Sequence, residues 1–345
     1  MSCERGSALV LVLFVMTVLA LTGVSFTYWT ALRTRNARDE AVTVQLKSHA
    51  SSAAAIAVAR LRENTNDFDH PAEAWHTHGP LAAEDWLPAW SPEYPGASPD
   101  FVTHYQVIDE ESKLHVLFAS TEALEELGMG EAQIASLLDW MDGDDIARSE
   151  GVESEHYLAL ATPYACKNAP LEMLDELLLI RGFHPRDYVG EDLNHNRVLD
   201  AAEDDGALSY PPDDADGQLR VGWVDLLTCL GDGRVNLNTA PEAVLKTLPV
   251  SEEAVEQIVG FRAFDENSSG TLEDHVFRSD ADIEQLQGLS EADVLVLKQV
   301  AAFRSRHFRI FVQSTHTPTG LRVHLEVLVR MEGDRARILQ WKGGP

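Results

Sequence analysis

The chain opens with one continuous helical pattern. Ser7 to Trp29 (SALVLVLFVMTVLALTGVSFTYW) is a run of 23 residues without a charge. At about 1.5 Å per residue, a helix of that length crosses a ~30 Å hydrocarbon core. Tyr28 and Trp29 fall where an interfacial aromatic belt lies. Thr30 to Glu63 then contains no Gly or Pro. Its segment AVTVQLKSHASSAAAIAVARLRE repeats small and apolar positions at helical spacing, so the pattern predicts a single helix over 7–63. That helix would be about 85 Å long, its first half (7–29) transmembrane and its second in water.

The far end of the chain alternates with period two. Phe308–Gln313 and Leu321–Arg330 read as half-buried strands joined by a turn at Thr317-Pro-Thr-Gly320, and Arg337–Trp341 reads as a third. With Phe101–Ile108 and Leu114–Phe118, these predict an antiparallel sheet packed on the soluble half of the long helix. The helical stretch 120–302 is then an insertion, leaving 64–119 and 303–345 to form the α/β body.

Within the insertion, Gly233–Arg262 carries a strand-like RVNLN, an N-cap candidate in Thr239, a first-turn Pro241, and two short helices broken at Pro249. This is a helix-hairpin-helix pattern. A weaker copy lies 121 residues earlier: Lys113–Ala119 aligns with Arg234–Ala240, and Ile134, Leu137 and Leu138 align with Val255, Ile258 and Val259. Where such hairpins bind DNA, a glycine-rich turn lets backbone amides reach phosphate. Here the second turn reads Pro249-Val-Ser-Glu252-Glu253, which repels phosphate.

Composition sharpens this picture. The 345 residues carry 56 Asp+Glu against 27 Lys+Arg, a formal net charge of −29, so no nucleic-acid partner is expected. The excess is concentrated: Met141–Asp216 holds 19 acidic and 5 basic residues, whereas Arg304–Pro345 holds 3 acidic and 8 basic. Inside the acidic stretch, Asp192, Asn194, Asn196, Val198, Asp200 and Glu203 occupy positions 1, 3, 5, 7, 9 and 12 of a twelve-residue loop. That is EF-hand ligand spacing, with a carbonyl from Val198 and a bidentate Glu203, and it predicts calcium. Arg197 stands where such loops place glycine. Asp265–Glu273 opens similarly but ends on Val276 at position 12, and Asp142, Asp144 and Asp145 form a further acidic cluster. The 13 histidines are scattered, with no HExxH, GxSxG or phosphate loop, so no enzyme is expected.

Several segments together resemble one family. A short leader ending in Arg5-Gly6 before an apolar helix resembles the type IV pilin and pseudopilin N-terminus. Leu137-Leu-Asp-Trp140-Met-Asp142-Gly-Asp144-Asp145, Glu153 with Tyr157, Pro163-Tyr164, Lys167–Leu171, Asp175–Phe183 and Val235–Pro241 follow in the order of the general secretion pathway protein K family, the minor pseudopilins of type II secretion systems. The resemblance implies a pilin-like α+β fold with a large inserted all-α domain. It implies cleavage of leader 1–6 between Gly6 and Ser7 by prepilin peptidase, and methylation of the new N-terminus. Leu11 replaces the Glu that most pilins carry at the fifth mature position.

The implied location is the inner membrane, single-pass, with a periplasmic C-terminal domain. Arg33, Arg35 and Arg38 lie beyond the span and only Arg5 before it, a charge bias that by itself favours the opposite orientation. Implied partners are the I- and J-type minor pseudopilins, the major pseudopilin and the inner-membrane secretion platform. The implied role is initiating and capping the pseudopilus tip, with calcium as ligand. The contrasting expectation is a signal-anchored periplasmic calcium-binding scaffold or adhesion protein. Cys166 and Cys229 would both face an oxidising periplasm and could pair, although spacing says nothing of their separation.

Overall fold

The computed structural model describes residues 4–76, 100–192, 199, 203–206, 215–264 and 271–344. Helix α1 (Glu4–Glu63) runs for 60 residues, about 90 Å. Its apolar half is not buried by any of the described residues: Leu9 through Leu32 present exposed Leu, Val, Phe and Met side chains. From Leu9 onward the helix is long and apolar enough to cross a membrane. Threonines within it are satisfied locally, as when Thr17 Oγ1 donates to the Leu13 carbonyl at 2.8 Å and Thr27 Oγ1 to Gly23 at 2.8 Å. In a solvent without water those hydroxyls have few other partners.

Past Val44 the helix changes character. Leu46, Ala50, Ala53, Ala54, Ala57 and Leu61 are buried on one stripe. Ala50 through Leu61 of this stripe cluster with Trp75, Tyr105, Val107, Phe308, Ile310, Val312, Leu325, Val327 and Val329. Alanines at i, i+3, i+4 and i+7 let the helix axis approach the sheet closely, and the sheet supplies the bulk. The sheet comprises β1 (Phe101–Asp109), β6 (His307–His316), β7 (Leu321–Glu332) and β8 (Arg335–Gly344), antiparallel in the order β1-β6-β7-β8. Inward Phe308, Ile310 and Val312 alternate with half-exposed positions, as the period-two pattern requires. The turn after β6 closes through Gly320, at φ 71°, whose N–H donates to the His316 carbonyl at 2.9 Å.

Leu114–Phe118 does not join this sheet. β2 (Leu114–His115) pairs in parallel with β3 (Leu227–Thr228), while β4 (Val235–Asn236) pairs with β5 (Ala301–Ala302). These two-residue ladders belong to the insert, which therefore begins directly after β1 at Glu110 rather than at 120. The 121-residue shift survives as geometry. β2 is followed by α2 (Thr121–Glu126) and α3 (Glu131–Met141), and β4 by α7 (Glu242–Lys246) and α8 (Glu252–Arg262). Short helices α4 (Ser154–Leu158), α5 (Pro185–Val189) and α6 (Trp223–Leu226) lie between the copies, and α9 (Asp280–Gln285) and α10 (Glu291–Val300) follow them. All of these gather around one large core that includes Leu124, Leu137, Trp140, Tyr157, Leu177, Leu227, Leu245, Ile258 and Phe277.

Thr239 is not the N-cap of α7; Pro241 takes that position. The Thr239 hydroxyl instead donates to Asp109 Oδ2 at 2.6 Å, at the seam where insert meets sheet. The same oxygen accepts from Ser305 Oγ at 2.7 Å and Asn236 Nδ2 at 3.1 Å. Next to it, Glu110 Oε1 accepts from Lys113 Nζ at 2.9 Å and Arg309 Nε at 2.6 Å, and its Oε2 from Thr228 Oγ1 at 2.8 Å. Arg309 also reaches Glu326. Burial alone would raise Glu110, but Lys113 and Arg309 outweigh it and hold the carboxyl well below its usual range. Burial pushes Asp109 up to about 6. Burial, with the charge of Asp109 adding to it, pushes Asp69 up to about 8.

Candidate metal centre

One group of carboxylates in the insert has no such complement. Helix α3 ends at Met141, and its buried face carries Ile134, Leu137 and Trp140 into the core. Asp139 lies on the same buried side and is wholly inaccessible to solvent. Asp142 caps the helix C-terminus, and the chain then loops through Gly143–Val152 back to Glu153, the N-cap of α4. Trp140 and Tyr157 fix the two ends of this loop in an edge-to-face contact, with centroids 5.1 Å apart.

Asp139, Asp142 and Glu153 each offer an oxygen within 4.8 Å of the others. Only glycine fits at 151, because a Cβ there would lie 2.0 Å from Asp139 Oδ2. Arg148 is the cation that the loop supplies. Its backbone N–H faces both oxygens of Asp139 at 3.3 and 3.2 Å, and its Nη1 donates to Asp139 Oδ1 at 2.7 Å and to Asp142. Glu153 receives nothing comparable: it is 6% exposed, neither carboxylate oxygen has a cation or N–H donor within hydrogen-bond distance, and its polar neighbour is the Cys166 thiol. It makes no side-chain capping bond to α4 either. Burial, reinforced by the charge of Asp139, raises its pKa.

A buried carboxylate without a cation or N–H donor, facing two others, suits a hard divalent cation that takes oxygen ligands. The residues present fit such an ion through Asp139, Asp142 and Glu153. Asp144 and Asp145 stay outside this group. Asp144 Oδ1 accepts from the Ile146 N–H at 2.9 Å, and Asp145 Oδ1 from Ser154 Oγ at 2.8 Å and Asn168 Nδ2 at 3.1 Å. The acidic cluster at 142–145 was visible in the sequence; Asp139 and Glu153 were not recognised as ligands beside it. The available signal was an aspartate on the apolar stripe of α3, one residue before a core tryptophan.

Of the spacing-derived loop, Asp192 and Glu203, its first and twelfth positions, are both buried, at 0% and 4% exposure. Asn194, Asn196, Val198 and Asp200 lie outside the described residues, as does most of the Asp265–Glu273 loop. Gly6 and Ser7 fall in the first turns of α1. Cys166 and Cys229, which could have paired, are both free thiols. They are held by different neighbours: Cys166 lies 3.9 Å from the Asp139 carbonyl, while Cys229 donates to the Glu172 carbonyl at 3.4 Å. Burial pushes each up to about 11, which keeps both as thiols.

A long exposed apolar helix bearing a small antiparallel sheet, with an α-domain opening between two strands, is a build that fits a single-pass membrane anchor. Residues 102–189, which include the whole carboxylate centre, match the family model described as Type II secretion system (T2SS), protein K. That match falls on the stretch that holds most of the motifs resembling protein K. A chain in the crystal structure of the GspK-GspI-GspJ complex from the enterotoxigenic Escherichia coli type 2 secretion system shares the fold. Its TM-score is 0.58 at 16% identity, over 90% of this chain and 99% of that one. No curated protein matches.

Proposed function

We propose that this protein is the minor pseudopilin at the tip of a type II secretion pseudopilus, where it initiates and caps assembly together with I- and J-type partners. Its location in this reading is the inner membrane, with the C-terminal domain in the periplasm. The role is assembly, not catalysis.

The observation that carries the capping role is where the insert leaves the sheet. At one end of β1, Phe101 stacks on His49 of α1 (centroids 5.0 Å apart) and pairs with His316. At the other end, Asp109 pairs with Phe308, beside the region where Arg62 of α1 reaches the Asp334 carbonyl. The insert opens at Glu110, the end farther along α1 from its apolar half. A subunit anchored by that apolar half therefore carries its bulk on the membrane-distal side, where a further subunit would have to stack.

The acidic loops fit the same reading as calcium sites, one at Asp139, Asp142 and Glu153 and one at Asp192–Glu203. Oxygen ligands from both ends of a loop would fix the loop's shape at an exposed tip.

The test replaces Glu110–Arg306 by a short turn joining β1 to β6, in cells that overproduce the major pseudopilin. Pseudopili of unlimited length, with secretion lost, are expected. Unchanged length would remove the capping role. Mass analysis of the membrane-extracted chain checks the anchor: a methylated N-terminus at Ser7 is expected, and an intact Met1 would exclude a pseudopilin.

A further inference from the structure

The charge arrangement at the carboxylate centre assigns a role to Arg148. We propose that its guanidinium is a built-in competitor for the divalent cation, holding Asp139 and Asp142 when the cation is absent and swinging out when it binds. This rests on the reading that the centre takes a cation.

Three features of the structure separate a competitor from a fixed scaffold. First, one nitrogen, Nη1, contacts both Asp139 Oδ1 and Asp142. It therefore stands between two of the three oxygen donors, where a shared cation must sit. Second, the positioning of Asp139 does not depend on the guanidinium. The Arg148 backbone N–H faces both Asp139 oxygens, and the close approach of Gly151 confines the same carboxylate. Third, the Arg148 side chain is 43% exposed while Asp139 is at 0%, so the guanidinium can leave toward water without unpacking the core.

Glu153 completes the argument. It is the one ligand that Arg148 does not touch, and it is buried with neither oxygen against a cation or N–H donor. The monovalent guanidinium contacts two of the three carboxylates. A divalent ion with several coordination positions can satisfy all three. A guanidinium left beside that ion would repel it, so occupancy by one opposes occupancy by the other.

The experiment is calorimetric titration of calcium chloride into the full-length chain in detergent. An Asp192→Ala background is used, so that the heats report this centre. Arg148→Gln is expected to bind calcium on the order of tenfold more tightly than the unsubstituted centre. Arg148→Lys, which keeps the charge, should stay within about threefold of it. Without calcium, Arg148→Gln should unfold at lower temperature and gain more than the parent when calcium is added.

Equal or weaker binding by Arg148→Gln would overturn the competitor role and make Arg148 a positioning residue. Arg148→Lys, whose charge lets it fold like the parent, decides the matter if Arg148→Gln does not fold. Tenfold tighter binding by the lysine variant would also overturn the role. Absence of heat in the parent and both variants would instead show that the centre takes no cation, removing the underlying reading together with this one.

Discussion

The protein buries carboxylates in two places and treats them differently. At the seam between insert and sheet, Glu110 has Lys113, Arg309 and Thr228, and Asp109 has Thr239, Ser305 and Asn236. In the α3–α4 loop, two of three carboxylates share one arginine, and Glu153 has no cation against it. Both settings withdraw negative charge from water, which costs several kcal/mol per ion unless partners are supplied. The seam supplies them from the chain itself, so it is structural. The loop leaves Glu153 without a matching cation, which is why we propose it as a cation site.

The comparison can be broken most directly at Lys113. Its ammonium is 1% exposed and donates to Glu110 and to the Val224 carbonyl at 2.9 Å. Lys113→Met is expected to destabilise the chain by about 3–5 kcal/mol, because it strands a buried carboxylate. Urea unfolding of the detergent-solubilised protein checks this, and a loss under about 1 kcal/mol would mean that Arg309 alone suffices.

The loop should answer in the opposite sense. Without calcium, Glu153→Gln removes a repelling charge and is expected to leave stability equal or slightly higher. With calcium at a hundred times its dissociation constant, the parent should gain about 2.7 kcal/mol, and the variant should lose most of that gain. A melting temperature that rises equally in both would place the ion elsewhere.

The most gradual effect concerns pH. Asp69, raised to about 8 from 3.8, keeps its proton in the folded state over a range where the unfolded chain has lost it. The folded state then binds more protons, so stability is fullest near pH 4 and declines as pH rises toward 8. The slope contributed is at most about 1.4 kcal/mol per pH unit. Asp69→Asn should flatten the stability profile between pH 6 and 8, where Asp109, at about 6, no longer contributes. A slope unchanged in the variant would assign the dependence to another group.

Much of the fold was legible because it follows from periodicity. The apolar run over 7–29, the small-residue stripe at Ala50–Ala57, and the alternation in β6 and β7 each predict their element from local spacing. The repeat at 121 residues was legible for the same reason. Leu114–Phe118 was misassigned because two residues of strand carry no period, and only the tertiary partner, Leu227–Thr228, decides where they pair. Thr239 has the composition of a cap, yet a buried Asp109 claimed its hydroxyl. The carboxylate cluster was half visible. Spacing can suggest only oxygen donors that alternate along one tight loop, as in the pattern read at Asp192–Glu203. It does not reveal a set assembled from a helix interior, a helix end and the start of another helix, as at Asp139, Asp142 and Glu153.

The register of β1 on β6 has a kinetic side. These two central strands are paired residue for residue, Asp109 against Phe308, yet the entire insert lies between them in the chain. To the sheet, that α-domain is a hairpin turn of extraordinary length, and closing so long a flexible loop carries an entropic cost that grows with the logarithm of its length. Once the insert is folded, its β2–β3 and β4–β5 ladders and the Asp109 seam bring the two ends together, and the remaining closure is that of an ordinary tight turn. Formation of the α-domain before the sheet is therefore the favoured order, with the domain acting as a template on which the pilin-like body closes.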